Sequence, residues 1–169
     1  DLREQIGVIE PLLNDPIPSV RAEALVTLGM LRIEGIENKV RSLLLDPEPT
    51  VAITAASLMT LLVPEEGMQA LATHLKSRNR ELAAAALAHT GTYGLPLSLR
   101  MLKEHSDPVV RANIALGLMG QQVELERSAE TLYSLLLDQD KRWMWSSEHP
   151  LFRPLVKSTV RRGQGRSEE

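Results

Sequence analysis

The sequence predicts an all-α fold, an α-α superhelix built from about four and a half helix pairs in succession. Three observations carry this. Aromatic residues make up only 3% of the chain, whereas a β-sandwich or barrel draws on aromatic and β-branched residues; Leu, Ala, Met and Glu, all good helix formers, take their place. Leucine-rich stretches with helical spacing, such as Val40, Leu43 and Leu44, alternate with alanine-rich ones such as Ala83, Ala84, Ala85 and Ala86. Finally, residues 15–22, 46–53, 77–84 and 105–112 align on Val20, Val51, Leu82 and Val110, spaced 31, 31 and 28 residues apart.

Each copy has the same order of parts. A leucine-rich helix comes first, carrying Leu71 and Leu75 or Leu99 and Leu102. Pro11 lies inside the first such helix and should kink it or mark its true start. A turn follows, in which Asp15, Asp46 or Asp107 is placed to cap the next helix and a proline fits that helix's first turn, where no N–H bond is lost. The second helix is alanine-rich (Ala22, Ala24; Ala52, Ala55, Ala56; Ala112, Ala115), so that neighbouring helices approach closely. Gly35, Gly67, Gly91, Gly94 and Gly120 punctuate the links, and Pro64 and Pro96 restart the next pair. In a fifth, degenerate copy, Leu135-Leu136-Leu137-Asp138 echoes Leu43-Leu44-Leu45-Asp46 and puts Trp143 in the place of Val51. Pro150 and Pro154 then break regular helix, predicting a turn and a short helix over residues 155–161, with residues 163–169 mobile. The domain reading is a repeat array over 1–145 and a C-terminal cap with a basic, partly mobile tail over 146–169.

The turns Asp15-Pro16-Ile17-Pro18-Ser19-Val20-Arg21 and Asp107-Pro108-Val109-Val110-Arg111-Ala112 resemble those of HEAT repeats, including the shorter type of phycobilisome lyase subunits. The resemblance covers residues 2–145 and rests on recurrence in register rather than on one copy. It implies a HEAT-like α-solenoid in which the turn Asp and Arg form a ladder between adjacent repeats. Arg21 and Arg111 match the Arg position, but Ala52 and Ala83 stand there in the second and third copies. The ladder is therefore expected at the ends and broken in the middle.

Charge and composition narrow the function classes. The net charge of −3 divides into −7 over residues 1–140 and +4 over residues 141–169, an acidic body with a basic tail. The absence of cysteine excludes disulfides, thiolate metal sites and a thiol nucleophile. No apolar run reaches the roughly 20 residues needed to span a bilayer, and a cytoplasmic location is expected. The start at Asp1-Leu2-Arg3-Glu4 reads as part of a longer, or a processed, protein.

No catalytic, cofactor or metal site is expected. His74, His89, His105 and His149 include no pair at i, i+4, the spacing a helical zinc site needs; His89 reads as a hydrogen-bonded interior or groove side chain. His105-Ser106-Asp107 contains triad residue types, but consecutive side chains diverge, and Asp107 reads as a helix cap. Gly91-Thr92-Tyr93-Gly94 and Gly117-Leu118-Met119-Gly120 lack the Lys-Ser/Thr of a phosphate-binding loop. Glu65, Glu66, Glu124 and Glu126 sit at helix starts, where the dipole favours them. Met30, Met59, Met68, Met101, Met119 and Met144 read as core fillers.

The function expected is non-catalytic: a protein-protein interaction module or scaffold, part of a larger protein, whose partner is another protein or a peptide. Register places Arg21, Glu23, Thr27, Thr54, Glu81, Arg111 and Asn113 outward on the second helices, which line the concave side of such arrays. Trp143, Trp145, Phe152 and Arg153 form a C-terminal cluster that either caps the last repeat or docks a partner. The alternatives are nucleic-acid binding through the basic C-terminal region, which the acidic body opposes, and a subunit of a HEAT-like lyase enzyme. The sequence sets no oligomeric state.

Overall fold

A computed structural model describes residues 2–31, 35–137, 143–146 and 155–158. Among them the chain is predominantly helical. It runs α1 (Leu2–Ile9), a 310 turn (Glu10–Asn14), α2 (Pro18–Met30), α3 (Glu37–Leu43), α4 (Pro49–Leu62), α5 (Pro64–His74), α6 (Arg80–Ala88), α7 (Leu95–Glu104), α8 (Pro108–Gly120) and α9 (Leu125–Leu137). Pro11 ends α1 and opens the 310 turn, because a ring in place of the N–H cannot continue the α-helical ladder. Pro18, Pro49, Pro64 and Pro108 each occupy the first position of a helix, where the missing donor costs nothing.

The helices pack in chain order. The second helix of each pair lies on the second helix of the next, α2 on α4, α4 on α6 and α6 on α8, while α3 packs on α4, α7 on α8 and α9 on α8. Alanines make these approaches close: Ala83 through Ala88 are all buried, as are Ala52, Ala55, Ala56, Ala112 and Ala115. One apolar cluster joins Leu13, Leu25 and Leu28 to Val40, Val51 and Met59. A second joins Ile53 and Leu71 to Leu87, Val110 and Ile114. α5 approaches α4 to backbone contact at Gly67, where a Cβ would stand 2.7 Å from the Thr60 Cα.

The turns close differently from the sequence expectation. Asp15 and Asp46 accept the N–H of Ile17 (2.8 Å) and Glu48 (2.9 Å), which precede α2 and α4, so they tie the turn rather than cap a free helical N–H. Ser77 does the same for Asn79 at 3.0 Å, and His105 Nδ1 accepts the Asp107 N–H at 3.1 Å. Four side chains of three kinds thus do one job at one register. Only Asp107 caps in the expected sense, accepting the Val109 N–H at 2.9 Å.

The C-terminal segment corrects the sequence reading. Trp143, placed by register where Val51 stands in a helix, lies in a strand instead, and residues 155–158 are not helical. They form an antiparallel pair, β1 (Trp143–Ser146) with β2 (Leu155–Ser158), in which Trp143 faces Ser158 and Trp145 faces Val156. Trp143, Trp145 and Val156 suit a pleated strand. β2 lies against α6 and α8. The rest of the expected turn, and residues 163–169, lie outside the described residues.

Candidate functional site

Of the residues expected to face a partner, Arg21 is already committed within the fold. Its Nε and Nη2 donate to the two Asp46 carboxylate oxygens, each at 2.8 Å, and its Nη1 donates to the Asp15 carbonyl at 2.8 Å. It is a strut between α2 and the α3–α4 turn. Burial works against the charge on Asp46, but the Arg21 hydrogen bonds and the Glu48 N–H outweigh it and hold the carboxyl below its ordinary range.

Thr54 and Asn113 are corrected outright as outward positions, at 2% and 1% exposure. Thr54 Oγ1 donates to the Thr50 carbonyl at 2.7 Å, and Asn113 Nδ2 to the Val109 carbonyl at 3.0 Å. The reason is crowding. α4 has α2, α3, α5 and α6 around it, and α8 has α6, α7, α9 and β2, so neither keeps a wide free face. Glu23 is exposed and Thr27 half-buried; with Ile9, Leu12, Ser19, Val20 and Ala24 they line a shallow depression of about 250 Å³. Arg111 is half-buried. Trp143 and Trp145 are placed by backbone pairing alone, and Phe152 and Arg153 lie outside the described residues.

The charged ladder also departs from expectation. The third pair carries a rung after all: Arg80, three residues before Ala83, donates from Nε to Asp107 at 2.6 Å. Ala83 is fully buried, so an arginine has no room there, and the cation sits one helical turn earlier. A second series links the first helices. Arg41 donates to both Glu66 oxygens at 2.7 and 3.0 Å, and Lys39 pairs with Glu10 at 2.5 Å. The Arg41 hydrogen bonds hold the Glu66 carboxyl below its usual range.

A row of exposed apolar residues is the feature that sequence reasoning missed. Met30 and Leu61 stand ten residues after Val20 and Val51, in the last turns of α2 and α4, and are 75% and 61% exposed. Tyr93 follows α6, eleven residues after Leu82, at 55%; Met119 stands in the last turn of α8, nine residues after Val110, at 37%. Met30 and Met119 are therefore not core fillers, whereas Met59 is fully buried and Met68 and Met101 pack on the core. The signal was the recurrence of an apolar residue near ten positions past each anchor. Scattered exposed apolar residues need no explanation, but a row at one register across adjacent helices marks a sticky edge. Methionine and tyrosine suit such an edge, the first adaptable and the second amphipathic.

Other candidates are absorbed by structure. Asp107 caps α8 and receives Arg80, while His105 ties the turn before it, so His105-Ser106-Asp107 is a structural unit. His89 is exposed and its Nδ1 bonds the Ala85 carbonyl at 2.7 Å. Among the described residues no three His, Asp or Glu side chains are grouped to hold a metal ion, and no helix is long and apolar enough to cross a membrane. The chain matches no protein-family model and no curated protein sequence.

Proposed function

We propose that the protein is a HEAT-like α-solenoid module of a larger protein, acting without catalysis, and that it binds another protein along the edge carrying Met30, Leu61, Tyr93 and Met119. The observation that carries this reading is the register of that row. Three second helices and the turn that follows α6 each expose an apolar side chain nine to eleven residues past the anchor, and helices in contact sit about 8–10 Å apart. A row of this kind spans the length of a partner helix, with anchors that fill pockets and surrounding polar residues that exclude water. The expected positions Glu23 and Arg111 border the same helices as secondary contacts.

The test is affinity capture with cross-linking from the native host, comparing the intact chain with Leu61→Asp and Met30→Asp. Both positions are exposed, so melting should stay unchanged while capture of a reproducible partner falls at least tenfold. Capture that survives both substitutions, or cross-links that map only to residues 143–158, would reject the edge as the binding surface.

A further inference from the structure

The shallow depression on α2 is the uncovered counterpart of a surface that the chain covers once already. Shifted by 31 residues, Ile9, Leu12, Val20, Glu23, Ala24 and Thr27 become Val40, Leu43, Val51, Thr54, Ala55 and Leu58. All six of the second set are buried. Their cover is the preceding helix pair: α2 packs on α4, Val40, Leu43, Val51, Ala55 and Leu58 share one cluster with Leu13, Ala22, Leu25 and Leu28, and a Cβ at Gly29 would stand 3.1 Å from the Leu58 side chain. In the first set, Leu12 and Glu23 are exposed and Ile9, Val20 and Thr27 only half-buried.

A second, electrostatic observation agrees. Asp46 sits five residues before Val51, closes its turn on Glu48, and receives Arg21 from the pair before. Asp15 sits five residues before Val20 and closes its turn on Ile17 in the same way. The Arg21 of its own pair is spent on Asp46 and reaches Asp15 only at the backbone carbonyl. The face is thus apolar in the middle, with a carboxylate at its border at the register where Asp46 receives Arg21.

We infer that this face seats one further helix pair of the same design, carrying an arginine at the register of Arg21 and supplied by the preceding stretch of the same polypeptide. The inference rests on the stacked-pair part of the reading above and is independent of the Met30 row. The source is argued from the chain itself, where the cover of the equivalent face on α3 and α4 comes from the segment immediately before them. A second copy is a poorer occupant. Two-fold pairing would bring Asp15 and Glu23 near their own images, and the exposed apolar residues of α9 (Leu125, Tyr133, Leu136) stand among Glu126 and Glu130, again acid against acid.

The experiment duplicates residues 6–36 in place, so that residue 36 of the added copy runs into the original Ile6 just as it runs into Glu37. The added Arg21 then faces the original Asp15. The added pair should stack, raising the melting midpoint by about 5 °C or more and resisting limited proteolysis. Arg21→Ala in the added copy should remove part of the gain, and Val20→Glu in the original copy nearly all of it. Val20→Glu alone should leave the unextended chain's melting almost unchanged, since Val20 is only half-buried there. An unchanged midpoint with rapid cleavage of the added copy would overturn the inference. So would concentration-dependent dimerisation of the unextended chain that Val20→Glu abolishes, because the seat would then belong to a second copy. Capture through Leu61 would stand or fall separately from either result.

Discussion

Gly67 shows how one absent side chain fixes the meeting of two helices. Without a Cβ, α5 closes to backbone contact with the last turns of α4. Gly67→Ala would gain about 0.5–1 kcal/mol of intrinsic helix preference, but the new methyl meets backbone atoms of Met59 and Thr60, which have no rotamer to yield. Overpacking of that kind costs about 1–3 kcal/mol, so the net effect should be destabilising and visible as a lower thermal midpoint; a rise would mean that α5 slides freely. The sequence showed Gly67 only as punctuation, because spacing reveals a break between helices and not how near they come. Met30 and Asn113 misled for a related reason. Helical periodicity tells which residues share a face, but the neighbours that cover a face come from segments far along the chain.

At the scale of elements, the prolines and alanines made the second helices legible, and their starts at Pro18, Pro49 and Pro108 follow from chemistry that a single residue carries. The hairpin was not legible, since Leu155-Val156-Lys157-Ser158 is too short for its spacing to tell strand from helix, and it becomes a strand by pairing with β1. The rungs between elements were half legible. Arg21 stands at the expected register, but Arg80 answers to the burial of Ala83, which no alignment of turns exposes. Arg80→Ala should therefore lower stability by about 1 kcal/mol, as a partly buried charge-assisted bond does. Urea titration at low and high salt would check it: the difference should shrink as salt screens the pair, and a salt-independent loss would point to packing by the arginine stem instead.

For the molecule as a whole, the two depressed carboxyls and the depressed imidazole predict weakness toward acid. Asp46 and Glu66 titrate below their ordinary values when folded, so the unfolded chain takes up their protons first. The stability they contribute is complete above the unfolded carboxylate range and is lost as pH falls through the lower folded values. Burial depresses the His74 imidazole; the unfolded chain therefore binds that proton more readily, and stability also declines as pH drops below about 6.5. Melting midpoints between pH 8 and pH 3 should fall in two stages. Asp46→Asn should flatten the second stage and His74→Gln the first, whereas a midpoint that rises on acidification would contradict all three assignments. The order of helix packing was the most legible property at this scale, because a near-constant interval of 31 residues demands equivalent neighbours. The return of β2 to α6 and α8 was invisible, being a contact between parts that share no pattern.

That returning strand makes the two extremities unequal. At the amino end, α1 and the 310 turn lean on α2, so fraying there proceeds by peeling one short piece after another. At the carboxyl end, a strand bridging two helices ties the loosening of either to the loss of both contacts. Among the described residues, α1 should therefore detach before α6 or α8, and the order in which limited proteolysis releases them would show it.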